Sequence, residues 1–274
     1  MRHALFIAPF GALADPRRCA EVAARAEAGG WDGVFVWDHM LYAPPVEAIA
    51  DPWVTMAAMA CATERIRLGP MVTPVARRRP WKLAREAVTL DHLCGGRLVL
   101  GAGLGGDPGR ELSAFGEEID ARARARLLDE GLDLVVALWE GERVEHRGAF
   151  RADGVRVLPR PVQRPRIPIW LAARWPHRAP VRRAARYDGL FPIGLTRPDQ
   201  AAELVEVVAT HRREAGVGPA DLADAPFDLA VTGRVGVDPA PWAAAGATWW
   251  LVGFGAEVTP ADVAAALDEG PPRA

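Results

Sequence analysis

Asp38 and His39 stand side by side at the end of an apolar run, "GVFVWDHM" (33–40). Burying either side chain without a partner is costly, so a pair placed there is satisfied by neighbours or presented to a ligand. An imidazole changes charge near neutral pH, and a carboxylate beside it can orient it or balance its charge, the combination that proton transfer needs. The alternative is an aspartate capping the next turn beside a surface histidine.

Other stretches carry weaker chemistry. "GAGLGG" (101–106) matches the GxGxxG pattern of dinucleotide-binding turns. Its surroundings do not: it follows the fourth strand candidate, "DPG" stands where a helix should begin, and no strand-ending acid lies about 20 residues on. Its glycines are read instead as letting backbone approach a flat ligand closely. In "IPIWLAARWPHRAP" (167–180) small residues and Arg174 precede a helix candidate. Backbone N–H groups at a helix start, with a guanidinium, suit a phosphate. A solvated loop arginine is the alternative. Pro70 inside "IRLGPMVT" removes a ladder hydrogen bond and predicts a bulge or break in that strand. The histidines (3, 39, 92, 146, 177, 211) show no HxH or HExxH spacing, so no metal site is expected.

These residues need a scaffold, and the rest of the chain supplies its outline. Strand candidates at 4–10, 33–38, 66–73, 97–103, 167–172, 188–194, 227–233 and 247–253 alternate with helix candidates near 15–29, 52–63, 80–93, 120–140, 178–187, 198–215, 239–245 and 260–268. Eight of each in strict alternation is the count of a closed α/β barrel, a (β/α)8 TIM barrel, and 274 residues is about its usual length of ~250. Asp15-Pro16, Asp51-Pro52, Asp238-Pro239 and Thr259-Pro260 each set a capping side chain before a proline, a helix-start signal. In such a barrel the chemistry gathers at the C-terminal ends of the strands, where Asp38, His39, Thr73, Gly103 to Gly106 and Ala172 to Trp175 fall. The segment 141–166, rich in Arg, Gly and Pro, reads as an irregular excursion with room for a hairpin. The whole chain, 1–274, is read as a single barrel domain.

Composition narrows the partners. Net charge is only −2, which gives no field for nucleic acid or acidic membranes and leaves a small molecule as the default. No apolar run approaches the ~18 residues of a membrane span. Lys82 is the only lysine, and the arginine excess is read as codon habit with little functional weight. Three cysteines without CxxC spacing argue for a reducing compartment, taken as the cytoplasm. "MRHALFIAPFGALA" has features of a cleavable leader, but Pro9 and Gly11 interrupt its apolar stretch and it is read as a first strand. Most of the ten tryptophans are read as packing residues, with Trp249 and Trp250 on opposite strand faces.

Taken together, "WDGVFVWDHM", the block "DPWVTMAAMACATERIRLGPMVTPVARRRPWKLAREAVTLDHLCGGRLVLGAGLGG", "PVQRPRIPIWLAA", "RRAARYDGLFP" and "AGATWWL" resemble the bacterial-luciferase-like flavin-dependent oxidoreductases. The resemblance implies a (β/α)8 barrel, often dimeric, with FMN or the deazaflavin coenzyme F-420 at its mouth. It implies that Asp38 binds the cofactor and His39 donates a proton, and that Thr73, Gly103, Leu104 and Gly105 approach the ring system. The turn Ala172, Ala173, Arg174 and Trp175 would bind phosphate. A bulge with a strained peptide bond beneath the ring, common in the family's third strand, would explain Pro70. Three departures bear on chemistry. Gly106 stands near the place of the glutamate base of the family's sugar-phosphate dehydrogenases, Ala172-Ala173 replace a Gly-Gly, and luciferase's long loop after strand 7 is missing, which makes light emission improbable.

The reading that results is a flavin-dependent monooxygenase, supplied with reduced FMN by a separate flavin reductase and using oxygen on a small organic substrate, with His39 catalytic and Asp38 holding the imidazole or the ring edge. The alternatives are an F-420-dependent reductase or dehydrogenase working by hydride transfer, and a catalytically silent flavin-binding barrel. A homodimer without nucleic-acid or membrane partners completes the expectation.

Overall fold

The computed structural model describes residues 1–215 and 227–272. Parallel strands β1 (Arg2–Ile7), β2 (Gly33–Val36), β3 (Arg67–Pro70), β4 (Thr73–Pro74) and β5 (Leu100–Gly103) precede an antiparallel hairpin of β6 (Val144–Arg147) and β7 (Arg151–Val155). Strands β8 (Ile169–Arg174), β9 (Gly189–Ile193), β10 (Asp228–Gly233) and β11 (Trp249–Gly253) complete the sheet, in the order β3-β2-β1-β11-β10-β9-β8-β5-β4. A parallel bridge from Leu68 in β3 to Leu98, just before β5, brings the two ends together. Segments β3 and β4 are one stave broken after Pro70, so the barrel has the eight staves that the alternation predicts; the break contains a cis Met71–Val72 peptide bond.

Helices α1 (Pro16–Ala28), α2 (Pro52–Cys61), α3 (Pro80–Leu93), α4 (Ala121–Trp139), α5 (Arg178–Ala184), α6 (Pro198–Glu214), α7 (Ala240–Ala244) and α8 (Pro260–Glu269) lie between the staves in sequence. The capping signals work as read: Asp15 accepts from Arg17 N, Asp51 from Val54 N, Asp238 from Ala240 N, and Thr259 closes a capping box with Asp262. Helix α4 buries Leu128, Leu132, Val135, Leu138 and Trp139, a stripe at helical spacing that packs on the barrel's outside. None of the described helices is long and apolar enough to cross a membrane.

The core has two layers because neighbouring strand residues face opposite ways. Trp250 joins the outer layer between strands and helices, and Trp249 joins the inner one. Inside the barrel Phe35, Trp170 and Trp249 meet as three rings with centres 5.4, 5.5 and 5.7 Å apart. They plug the lumen, so a ligand can enter only above them.

A candidate active site at the strand ends

The residues that follow β2 and β4 meet a loop that follows β5. Asp38 is buried and its carboxylate is fully engaged: Arg77 Nη2 donates to Oδ1 at 2.6 Å, and Thr73 Oγ1 and Arg78 Nη2 donate to Oδ2 at 2.7 and 3.0 Å. Arg77 also reaches Glu111, donating from Nη1 to Oε2 at 2.6 Å. Glu111 in turn binds His39, with Nδ1 2.9 Å from Oε1, and accepts from Met40 N at 3.0 Å. Two buried carboxylates therefore share one guanidinium, the pairing that makes their burial tolerable.

Protonation follows from these contacts. Burial would push the Glu111 carboxyl up, but the hydrogen bond and charge of His39, the Met40 N–H and Arg77 outweigh it and hold the group below its ordinary range. An ionised carboxylate accepts only, so it assigns the His39 proton to Nδ1 or to both nitrogens. Nε2 has no hydrogen-bond partner among the described residues and belongs to a side chain that lines a cavity of about 820 Å³.

The cavity collects most of the expected residues. Asp38, His39, Leu104, Gly105, Gly106, Ala172 and Arg174 line it, together with Met71 and Val72 of the broken stave. Thr73, Gly103, Ala173 and Trp175 do not line it. Thr73 is buried against Asp38, and Gly103 is spent on packing, since a Cβ there would lie 2.4 Å from Val72 Cγ2. Ala173 alternates to the outer face of β8 and joins the outer core, while Trp175 packs on that core under the Arg178 guanidinium. Asp38 is corrected as the holder of the imidazole: that carboxylate is Glu111.

Glu111, Arg77 and Arg78 were not legible as site residues. Glu111 supplies a carboxylate from a loop position beyond Gly106, and nothing local signals that the loop folds back 72 residues to His39. Two arginines of "TPVARRRP", discounted as compositional excess, clamp Asp38. A ring-bearing wall of Phe6, Trp37, Tyr42 and Phe191 was also missed, although Trp37 adjoins Asp38 in sequence.

The lining fits a flat ring system with an anionic tail. Apolar side chains dominate it, glycines at 105, 106 and 194 keep parts of its surface free of side chains, and Arg174 has no ion-pair partner among the described residues. Arg183, also in the lining, is taken up by both oxygens of Asp129. Among the described residues no cluster could hold a metal.

The chain is 34% identical over 196 residues to a phthiodiolone/phenolphthiodiolone dimycocerosates ketoreductase of Mycobacterium kansasii, covering 70% of this chain and 52% of that protein. It is 33% identical over 186 residues to an F420-dependent glucose-6-phosphate dehydrogenase of Nakamurella multipartita, covering 64% of this chain and 52% of the relative. The chain thus spans about half the length of these relatives. Among solved structures, an F420-dependent secondary alcohol dehydrogenase superposes with a TM-score of 0.78 at 19% identity over 92% of each chain, a likeness of fold. The monooxygenase RslO1 of Streptomyces bottropensis superposes at 0.71 with 28% identity, over 85% of this chain and 71% of that one. A model of the luciferase-like monooxygenases matches residues 4–265, and the chain belongs to that family.

Proposed function

We propose that the chain is a flavin-type oxidoreductase of a small organic substrate, in which His39 exchanges a proton with the substrate through Nε2. The observation that carries this is the Glu111–His39 contact, 2.9 Å long, with the opposite ring nitrogen unpartnered at the cavity. The bound cofactor would supply two-electron redox chemistry. Glu111 fixes the ring orientation and balances the charge when His39 is protonated. Arg77 keeps Glu111 ionised and tethers it to Asp38, so the relay is held by buried groups on three staves. Leu104, Gly105 and Ala172 would border the ring system with Asp38 beside them, Arg174 would pair with the anionic tail, and Thr73 and Gly103 would support that surface from behind.

Of the two modes, hydride transfer with F-420 at a carbonyl or alcohol carbon is supported best, because that reaction needs the one proton the relay is built to handle. The relatives named for ketoreduction and F420-dependent dehydrogenation support the same mode. FMN-dependent monooxygenation, drawing on a separate reductase, is the second reading, favoured by the 28% identity to RslO1. Either is read as the work of one barrel domain in the cytoplasm, as a homodimer.

Titrating the purified chain with F-420 and with FMN, followed by absorbance, tests both modes. Tight F-420 binding with cofactor turnover independent of oxygen is expected; FMN binding with substrate-dependent oxygen uptake would transfer the assignment to the second. His39→Ala should lower turnover by about 10²–10⁴-fold with cofactor affinity retained. Near-normal turnover would remove His39 from the reaction.

A further inference from the structure

One wall of the cavity is built of rings that hold one another. Trp37, His39 and Tyr42 form a triangle, with ring centres 5.8, 5.0 and 5.8 Å apart. Phe10, 1% exposed and outside the lining, backs all three at 5.8, 6.0 and 5.3 Å. Phe6 extends the wall, 5.7 Å from Trp37 and 5.5 Å edge-on from Phe191. Rings locked in tilted and edge-to-face pairs present a rigid surface, and a further ring gains more from it than a flexible aliphatic group of the same size.

Apart from His39 Nδ1, the wall's polar atoms lack protein partners among the described residues. Trp37 Nε1 is buried within the wall, out of reach of the cavity, and has no hydrogen-bond partner among the described residues. The Tyr42 hydroxyl and His39 Nε2 have no partner among the described residues either. Charge is spoken for: Glu111 is held by Arg77 and His39, and Arg183 by Asp129. Arg174, the other arginine of the lining and without an ion-pair partner among the described residues, lies at the end of β8 and is assigned above to the cofactor's anion. An anionic substrate against the ring wall would find only His39 when protonated, and Glu111 already balances that charge.

We infer that the substrate is a small, uncharged aromatic carbonyl compound or the matching alcohol, lying against the wall with its oxygen accepting from the Tyr42 hydroxyl and from His39 when protonated. This rests on the cavity being the redox site and names the substrate class of that site. Trp37 and Tyr42 are then the specificity-determining residues: the Trp37 ring selects the flat group and the Tyr42 hydroxyl selects the oxygen.

Isothermal titration calorimetry on the purified chain, with acetophenone, cyclohexyl methyl ketone and benzoate as probes, tests the wall without cofactor and again with it. Acetophenone should bind about 3- to 10-fold tighter than the saturated ketone, the increment of one or two ring contacts, and benzoate more weakly than either. Tyr42→Phe keeps a ring but loses the hydroxyl and should weaken acetophenone about 5-fold, with cofactor affinity retained. Trp37→Leu should abolish the preference for the aromatic ketone. Equal affinity for the two ketones, tighter benzoate, or no binding of either ketone would overturn the substrate class. Cofactor titrations in the same cell separate the two readings. Ketone selectivity without binding of F-420 or FMN would overturn the redox site, and the substrate role with it, while cofactor binding without ketone selectivity would overturn the substrate class alone.

Discussion

His39 depends on what holds its far nitrogen, and that group is Glu111. A histidine free to rotate would present Nε2 in the right place only part of the time; one anchored by a buried, ionised carboxylate presents it always. Glu111 is therefore a positioning residue, and its titration should show in the rate. Its carboxyl sits below the ordinary range, so it is ionised above that range and the contact is lost as pH falls through the depressed value. Glu111→Gln should lower kcat by about 10-fold or more and erase that acid limb from the kcat profile, a change that a purely structural role would not produce. Asp38 has the opposite character. Both of its oxygens are consumed by Arg77, Arg78 and Thr73, so its work is to neutralise buried guanidinium charge. Asp38→Ala leaves that charge uncompensated and should cost about 3–5 kcal/mol of stability in urea unfolding, the range for breaking a buried ion pair.

At the level of elements, the barrel was legible because periodicity and caps are local. Apolar runs marked every stave, and four cap-and-proline pairs marked helix starts, although Asp238-Pro239 leads a helix that begins one residue later, at Ala240. The first stave is displaced from its expected 4–10 to Arg2–Ile7, since Pro9 ends its ladder and Phe10 bridges to Ile49 instead. Pro70 announced the break in the third stave, but not the neighbour that makes the break close-fitting. That neighbour is Gly101: a Cβ there would sit 2.0 Å from Pro70 O and 2.8 Å from Met71 Sδ. Backbone cannot yield as a side-chain tip can, so β5 must carry glycine where β3 ends. Gly101→Ala should destabilise the fold by about 1–3 kcal/mol and weaken cofactor binding, because Met71 lines the cavity. Parallel measurements of urea midpoint and cofactor titration check both effects. What stayed illegible in the site was what long-range packing decides, namely which loop carboxylate reaches His39 and which arginines reach Asp38.

For the whole molecule, the perturbed groups set a pH window of stability. Burial would raise Glu27 and Glu130, but backbone donors from Ile66, Arg65 and Glu64 to the first, and from Phe150 with His146 to the second, outweigh it and hold both low, as Glu111 is held. Depressed carboxyls contribute stability above their unfolded values and lose it as pH falls through the folded ones. His3, lowered chiefly by burial, acts in the same direction: its neutral form is favoured in the fold, so acidification below its ordinary value of 6.5 begins the decline. On the alkaline side burial, with Asp15 adding, pushes the Cys19 thiol up to about 12, and burial, with Asp133 adding, pushes Tyr187 up to about 12. Raised acids contribute stability below their unfolded values and lose it as pH rises toward the folded ones. The urea midpoint should therefore be flat between about pH 7 and 9 and fall on both sides, at constant slope against denaturant. Tyr187→Phe combined with Cys19→Ala keeps most of the packing and deletes two of the three raised acids, leaving Cys94, which burial also raises, so it should shrink the alkaline limb and leave the acid limb in place. An alkaline limb unchanged in that double variant would mean that the loss of stability above pH 9 comes from other groups, Cys94 first among them.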